Sequence, residues 1–224
     1  MRPDTLSPDL LLEAAITKYP SPIVPGAYAR LSRDEKVAAI AGHVRAIMVV
    51  LGLDVTSDSL IRTPERVASM YVDEVFSGLD VEALPRIALF DSSDSVPMDR
   101  LVVTKTRIVS FCEHHLVPMI GTAHIGYFPR DRIIGLSKIS RIAQYFAARP
   151  QLQERLSAQI GDCLATIIGH NDVAVLITAQ HACVIARGAK DESAETTTLY
   201  TSGVFQQSAS HRQEFLQIAR SSSE

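Results

Sequence analysis

The sequence predicts an α+β fold: a helical N-terminal region over residues 1–99, then a sheet-bearing domain over residues 100–224. Three observations carry this. Apolar residues in the first third recur at helical spacing. From about Arg100 the spacing shortens, and Val, Ile and Thr dominate. The predicted order is helices first, then β, β, α, α, β, β, α, which segregates the two element types instead of alternating them as a doubly wound sheet does.

Each element has a local cause. Ser7-Pro8 places a cap and a first-turn proline before Leu10, Leu11, Leu12, Ala15 and Ile16. Pro20, Pro22, Pro25 and Gly26 make Tyr19 to Ala29 a linker. Ser32-Arg33-Asp34-Glu35 is a capping box. It opens a helix carrying Val37, Ile40, Ala41, Val44, Ile47, Met48 and Leu51, which Gly52 can close. A third helix starts at Thr63-Pro64 and carries Val67, Met70, Tyr71 and Val75, with Gly78 just past its end. Arg100 to Phe111 reads as a strand. Ile120 to Phe128 reads as a second, with Ala123, Ile125 and Tyr127 facing one way and Thr122 and His124 the other. After a turn at Pro129-Arg130-Asp131, helices are expected over Ser137 to Ala148 and Leu152 to Ile168, stopped by Pro150 and Gly169. Strands follow over Asp172 to His181 and Thr196 to Phe205, then a helix over His211 to Arg220 and a frayed tail.

Composition narrows the function classes. Lys and Arg total 22 against 25 Asp and Glu, a net charge of -3. A general nucleic-acid binder needs a basic surplus to displace counterions, so nucleic acid is not an expected partner. No apolar run approaches the roughly 20 residues of a membrane helix, so no membrane association is expected either. The first residues do not read as a signal peptide, because acidic residues interrupt a short apolar stretch. Three cysteines without an export signal fit a reducing cytoplasm, where metal ligation or burial outranks disulfides. The glycine patterns of Rossmann and P-loop folds are absent, so any phosphate must be held by side chains.

The densest chemistry is Cys112-Glu113-His114-His115, directly after one predicted strand, with His181-Ala182-Cys183 at the end of another. Zinc prefers thiolate and imidazole. Cys112 and His115 have the C-x2-H spacing that wraps one turn around a metal, and Cys183 can complete a Cys2His set. His114 and His181 then remain as imidazoles suited to proton transfer near neutral pH. The bland alternative is a closed structural zinc with four protein ligands. Cys163, among Ile160, Leu164 and Ile167, reads as a small buried hydrophobe. His43, His170 and His211 read as structural, while His124 could support the site from a strand. Ser137, Lys138 and Arg141 open a helix, and Arg187 follows Cys183 by four residues. A helix start with these side chains favours anions, although ordinary surface charge explains them equally. Glu154 can accept hydrogen bonds from a guanine edge, or simply complement its helix dipole. A nucleobase deaminase would need H-x-E and P-C-x-x-C, and neither is present.

Together these stretches resemble GTP cyclohydrolase I. The resemblance rests on Cys112-Glu113-His114-His115, Ile134-Gly135-Leu136-Ser137-Lys138-Ile139 with Arg141, Arg149-Pro150-Gln151-Leu152-Gln153-Glu154-Arg155-Leu156, and His181-Ala182-Cys183 with Ala186-Arg187-Gly188. Thr63-Pro64-Glu65-Arg66-Val67 and Met70-Tyr71 resemble the family's N-terminal helical part. The family implies a tunnelling fold, an antiparallel sheet with helices on one face, assembled into a homodecamer with active sites between subunits. It implies the conversion of GTP and water to 7,8-dihydroneopterin triphosphate and formate, the first step toward folates and other pterins. Residue by residue, it implies Zn2+ on Cys112, His115 and Cys183, with His114 and His181 catalytic. Glu154 and Gln153 fall at the guanine and ribose end. Ser137, Lys138, Arg141 and Arg187 surround the triphosphate, with Arg66 reaching it from a neighbouring subunit. Ser69, Phe111, Thr122 and Leu199 depart from the family pattern.

Overall fold

The computed structural model describes residues 4–5, 7, 17–24, 26–91 and 100–221. The helix expected after Ser7 lies outside them. The chain is α+β, as the patterning predicts.

The capping box forms as read. The Glu35 backbone N–H donates to Ser32 Oγ at 3.3 Å, and the Ser32 N–H donates to Glu35 Oε2 at 2.8 Å. It opens α1, Arg33–Val50. Gly52, at φ +79°, turns the chain out of the helix. α1 buries Ala41 and Met48 against α2, Thr63–Ser69, and leaves Val50 86% and Leu51 70% exposed. Beyond Ser69 the helical path continues to Val75, but as a wider π-helical turn over Met70–Val75. Gly78 lies just past the end of this helical path, as expected, and has a packing role besides. A Cβ there would lie 2.1 Å from the Tyr145 carbonyl oxygen. Its N–H donates to the Ala148 carbonyl at 2.9 Å, and its carbonyl accepts from Arg149 Nε at 2.6 Å. Only a residue without a side chain lets the N-terminal region dock here.

The main sheet contains β3 (Val102–Cys112), β4 (Pro118–Tyr127), β6 (Pro150–Gln151), β7 (Val173–His181) and β8 (Thr196–Thr201), in the order β6-β3-β4-β7-β8. All pairings are antiparallel except the short parallel contact of β6 with β3. A small second sheet, β1 (Asp4–Thr5), β2 (Ala88–Asp91) and β5 (Arg132–Ile134), was not legible, because its strands are too short to show a period.

Two helices cover one face of the main sheet: α3, Leu136–Ala147, and α4, Gln153–Ile168. Ala123, Ile125, Tyr127, Val175 and Ile177 point into that core and are at most 1% exposed. Tyr200 of β8 fits against Gly161 of α4, where a Cβ would come within 2.3 Å of its ring. After α5 (Ala182–Ile185) and α6 (Val204–Gln207), the C-terminal helix α7, Ala209–Ser221, covers part of the opposite face, a detail beyond the one-sided arrangement expected. Its Phe215 packs over Gly126 and Ala174. This cover explains why His124, on the supposedly outward set, is only 4% exposed. Thr122 and Leu199, two departures from the family pattern, line a cavity on this same face. No helix among the described residues is long and apolar enough to cross a membrane.

Asp172 clips the start of β7 to α6. Its carboxylate accepts from Arg130 Nε at 3.0 Å and from the Val204 N–H at 3.0 Å. Burial pushes this carboxyl up, but the Val204 N–H and Arg130 outweigh that and hold it below the ordinary range. A group depressed in the folded state stabilises fully above its unfolded pKa and loses that contribution as pH falls. Urea unfolding should therefore show Asp172→Ala losing about 2 kcal/mol near pH 7. The gap from the parent chain should shrink as pH falls below about 4.

Candidate metal centre and active site

The sheet register builds the site. β3 ends at Cys112, and β4 begins at Pro118 opposite Phe111. At its other edge β4 pairs Met119 with His181, the last residue of β7, so the turn carrying Cys183 arrives beside the turn carrying His115. One ligand atom each from Cys112, His115 and Cys183 lies within 4.8 Å of the others. Cys112 is buried, Cys183 half-buried and His115 exposed, so the cluster opens to one side.

The 113–117 loop is held in a costly shape. The Cys112 N–H donates to Val117 O at 2.9 Å, and the Leu116 N–H returns to Cys112 O at 2.8 Å. Leu116 sits at φ 51°, a left-handed conformation costing a non-glycine residue about 1–2 kcal/mol. His114 is exposed, with Nδ1 3.8 Å from Cys112 Sγ. Burial, with the Cys112 thiol against it, pushes the Cys183 thiol up. A cation seated between the two sulfurs reverses that tendency.

The donor chemistry fits zinc. Zinc takes thiolates at about 2.3 Å and imidazole at about 2.0 Å, so neighbouring donors sit roughly 3.5–3.8 Å apart. The three ligand atoms, all within 4.8 Å of one another, lie near that spacing. Three donors also leave a tetrahedral position free.

His181 ends β7 two residues before Cys183, and its tautomer is fixed. Its Nε2 lies 2.7 Å from Gln153 Oε1. The Gln153 amide nitrogen donates to Ile177 O at 3.0 Å and Thr196 O at 2.9 Å, which leaves its oxygen for the imidazole. Nε2 therefore carries a hydrogen, and in the neutral ring Nδ1 offers the lone pair. Burial pushes His181 below its ordinary range, and nearby Glu154 pulls it partly back up. Gln153 itself is 2% exposed, with its amide committed inside the protein, where its oxygen orients His181. Glu154, its exposed neighbour in the first turn of α4, is the residue that faces outward.

Arg187 also joins the cluster, with Nη1 2.7 Å from His115 Nε2. A guanidinium only donates, so this imidazole nitrogen accepts. The remaining residues expected around the triphosphate are elsewhere. Ser137, Lys138 and Arg141 lie on the first two turns of α3, whereas its last residue, Ala147, accepts a hydrogen bond from Ser110 near the metal end of β3. Ser137 and Ala147 are about 15 Å apart along the helix axis. Arg66 is exposed on α2, within the helical region.

A sheet-and-helix enzyme domain with a Cys2His cluster at its strand ends has clear relatives. The family model described as GTP cyclohydrolase I matches residues 40–220. The chain belongs to the GTP cyclohydrolase I family. GTP cyclohydrolase 1 of Aeromonas salmonicida is 46% identical over 209 residues, covering 92% of this chain and 94% of that protein. GTP cyclohydrolase 1 of Enterobacter sp. is 47% identical over 190 residues, covering 85% of each. The Salmonella arizonae protein of the same name matches with the same figures.

Cys183→Ser should weaken zinc binding by roughly 100-fold or more, measured against a competing chelator, with the far-ultraviolet circular dichroism unchanged.

Proposed function

We propose that this chain catalyses the hydrolytic opening of the guanine imidazole ring of GTP, giving 7,8-dihydroneopterin triphosphate and formate, with zinc on Cys112, His115 and Cys183. The carrying observation is the three-donor cluster, with His114 against Cys112 and His181 two residues before Cys183, in a chain of this family. A zinc there supplies water acidified toward pH 7 for attack at C8.

The chain's own residues account for the rest. His114 and His181 deliver and remove protons: at the guanine imidazole ring to make C8 attackable, then at the leaving ring nitrogen, and again as the ribose rearranges. Gln153 holds the His181 ring so that Nδ1, not Nε2, does this work. Glu154 accepts from the ring N–H and amino group of guanine. Arg187 must leave His115 when that ring ligates. Either the same lone pair is taken, or Nδ1 ligates and Nε2 becomes a donor. The freed guanidinium is then available to phosphate.

Ser137, Lys138 and Arg141 lie about a helix length from the metal cluster, which supports a site completed by a second copy of the chain. Arg66 fits the same reading. So does the exposed apolar end of α1, where Val50 and Leu51 lack cover in the single chain. The assembly we propose is a homo-oligomer, decameric by the family resemblance.

Incubation of the zinc-loaded protein with GTP should release formate and, after oxidation, a fluorescent pterin; absence of both overturns the substrate assignment. His114→Ala should keep its zinc and lose turnover by about 10²–10⁴-fold. Mixing inactive Lys138→Met and Cys183→Ser proteins under subunit exchange should recover part of the activity, because some mixed sites then hold both intact halves.

A further inference from the structure

Glu113 sits between two proposed metal ligands yet belongs to neither the cluster nor the substrate set. Its carboxylate is paired with Arg155, and both side chains are largely shielded, at 19% and 15% exposure. Arg155 Nη2 also reaches Pro150 O at 3.5 Å, and its Nε donates to Gln151 Oε1 at 3.2 Å. The Gln151 amide nitrogen donates to Phe146 O and to Gln159 Oε1, each at 2.8 Å. The Gln159 amide nitrogen donates to Tyr19 O at 2.6 Å and to Ser21 Oγ at 3.1 Å. Gln151 and Gln159 are each 1% exposed.

The polarity of this chain is forced. Arg155 Nε can only donate, so it needs the Gln151 oxygen. Tyr19 O can only accept, so it needs the Gln159 nitrogen. Turning either amide over would oppose two donors or two acceptors in a buried place, at about 1–3 kcal/mol each. The chain therefore has one arrangement. It ends on a loop that needs outside support, because Leu116 is held in a conformation it disfavours. Backbone contact adds to the grip, since the Glu113 N–H donates to Gln151 O at 3.0 Å.

We propose that Glu113, Arg155, Gln151 and Gln159 are positioning residues that hold the Cys112–His115 loop in its ligating shape and anchor it to Tyr19 and Ser21. This rests on the metal reading above. The chain also commits the Glu113 carboxylate to Arg155. Residues that touch neither metal nor substrate thereby set metal affinity, as outer partners of metal ligands do.

The test is zinc affinity by chelator competition on the whole 224-residue chain, beside thermal unfolding. Wild type is measured first, and failure to bind zinc overturns the metal reading itself. If wild type binds, Glu113→Ala and Gln159→Leu should each weaken zinc by roughly tenfold. Their double variant should lose much less than the product of the two, since both cut one chain. Affinities within twofold of wild type, even with a lowered melting temperature, overturn the positioning role alone. A double variant losing the full product overturns the link to the N-terminal segment. Should Gln159→Leu not fold, Glu113→Ala paired with Ser21→Ala carries the same comparison.

Discussion

Everything at the site depends on the register of one strand against two neighbours. β4 sets Phe111 against Pro118 on one edge and His181 against Met119 on the other. The two sulfur-bearing turns meet only because both pairings end at the same end of β4. Side chains alternate along a strand, so a slip of one residue would reverse every buried position and part the turns at once. The core under α3 and α4 fixes that register, since Ala123, Ile125, Val175 and Ile177 have nowhere else to go. The hydrophobic effect thus positions a polar cluster it never touches.

Much of this was readable in advance. The capping box, the strands bearing the ligands and the two covering helices announce themselves through period and punctuation. Cys112, His115 and Cys183 stood out because each sits at or just beyond a strand end, where chain direction places residues on a common rim. What escaped is tertiary. Gln153 and Glu154 are adjacent in sequence, and nothing local says which one is swallowed by the sheet and which meets solvent. Arg155 finds Glu113 across 42 positions, and Gln159 finds Tyr19 across 140, distances no spacing rule spans. Gly78 lies just past a helix end, but nothing local shows that it must admit the Tyr145 carbonyl. Short strands such as β5 and β6 hold too few residues to reveal a period.

The division of labour along α3 gives the fold its logic. Its C-terminal end abuts the strand bearing Cys112, while its N-terminal end displays the cations. In the homo-oligomer proposed above, packing at one end would leave the other free to serve a neighbouring copy, so that one rigid helix would contribute to two sites.

The third sulfur has a consequence of its own. Cys163 is wholly enclosed within α4, and burial lifts its thiol far above the ordinary range. Since only the thiolate attacks electrophiles, the native chain offers alkylating reagents the half-buried Cys183 first, keeps Cys112 buried at the strand end and withholds Cys163 altogether. Labelling stoichiometry then separates two events that chelation alone confounds: reaction at the strand ends reports a liberated cluster, and the arrival of a third adduct reports global opening.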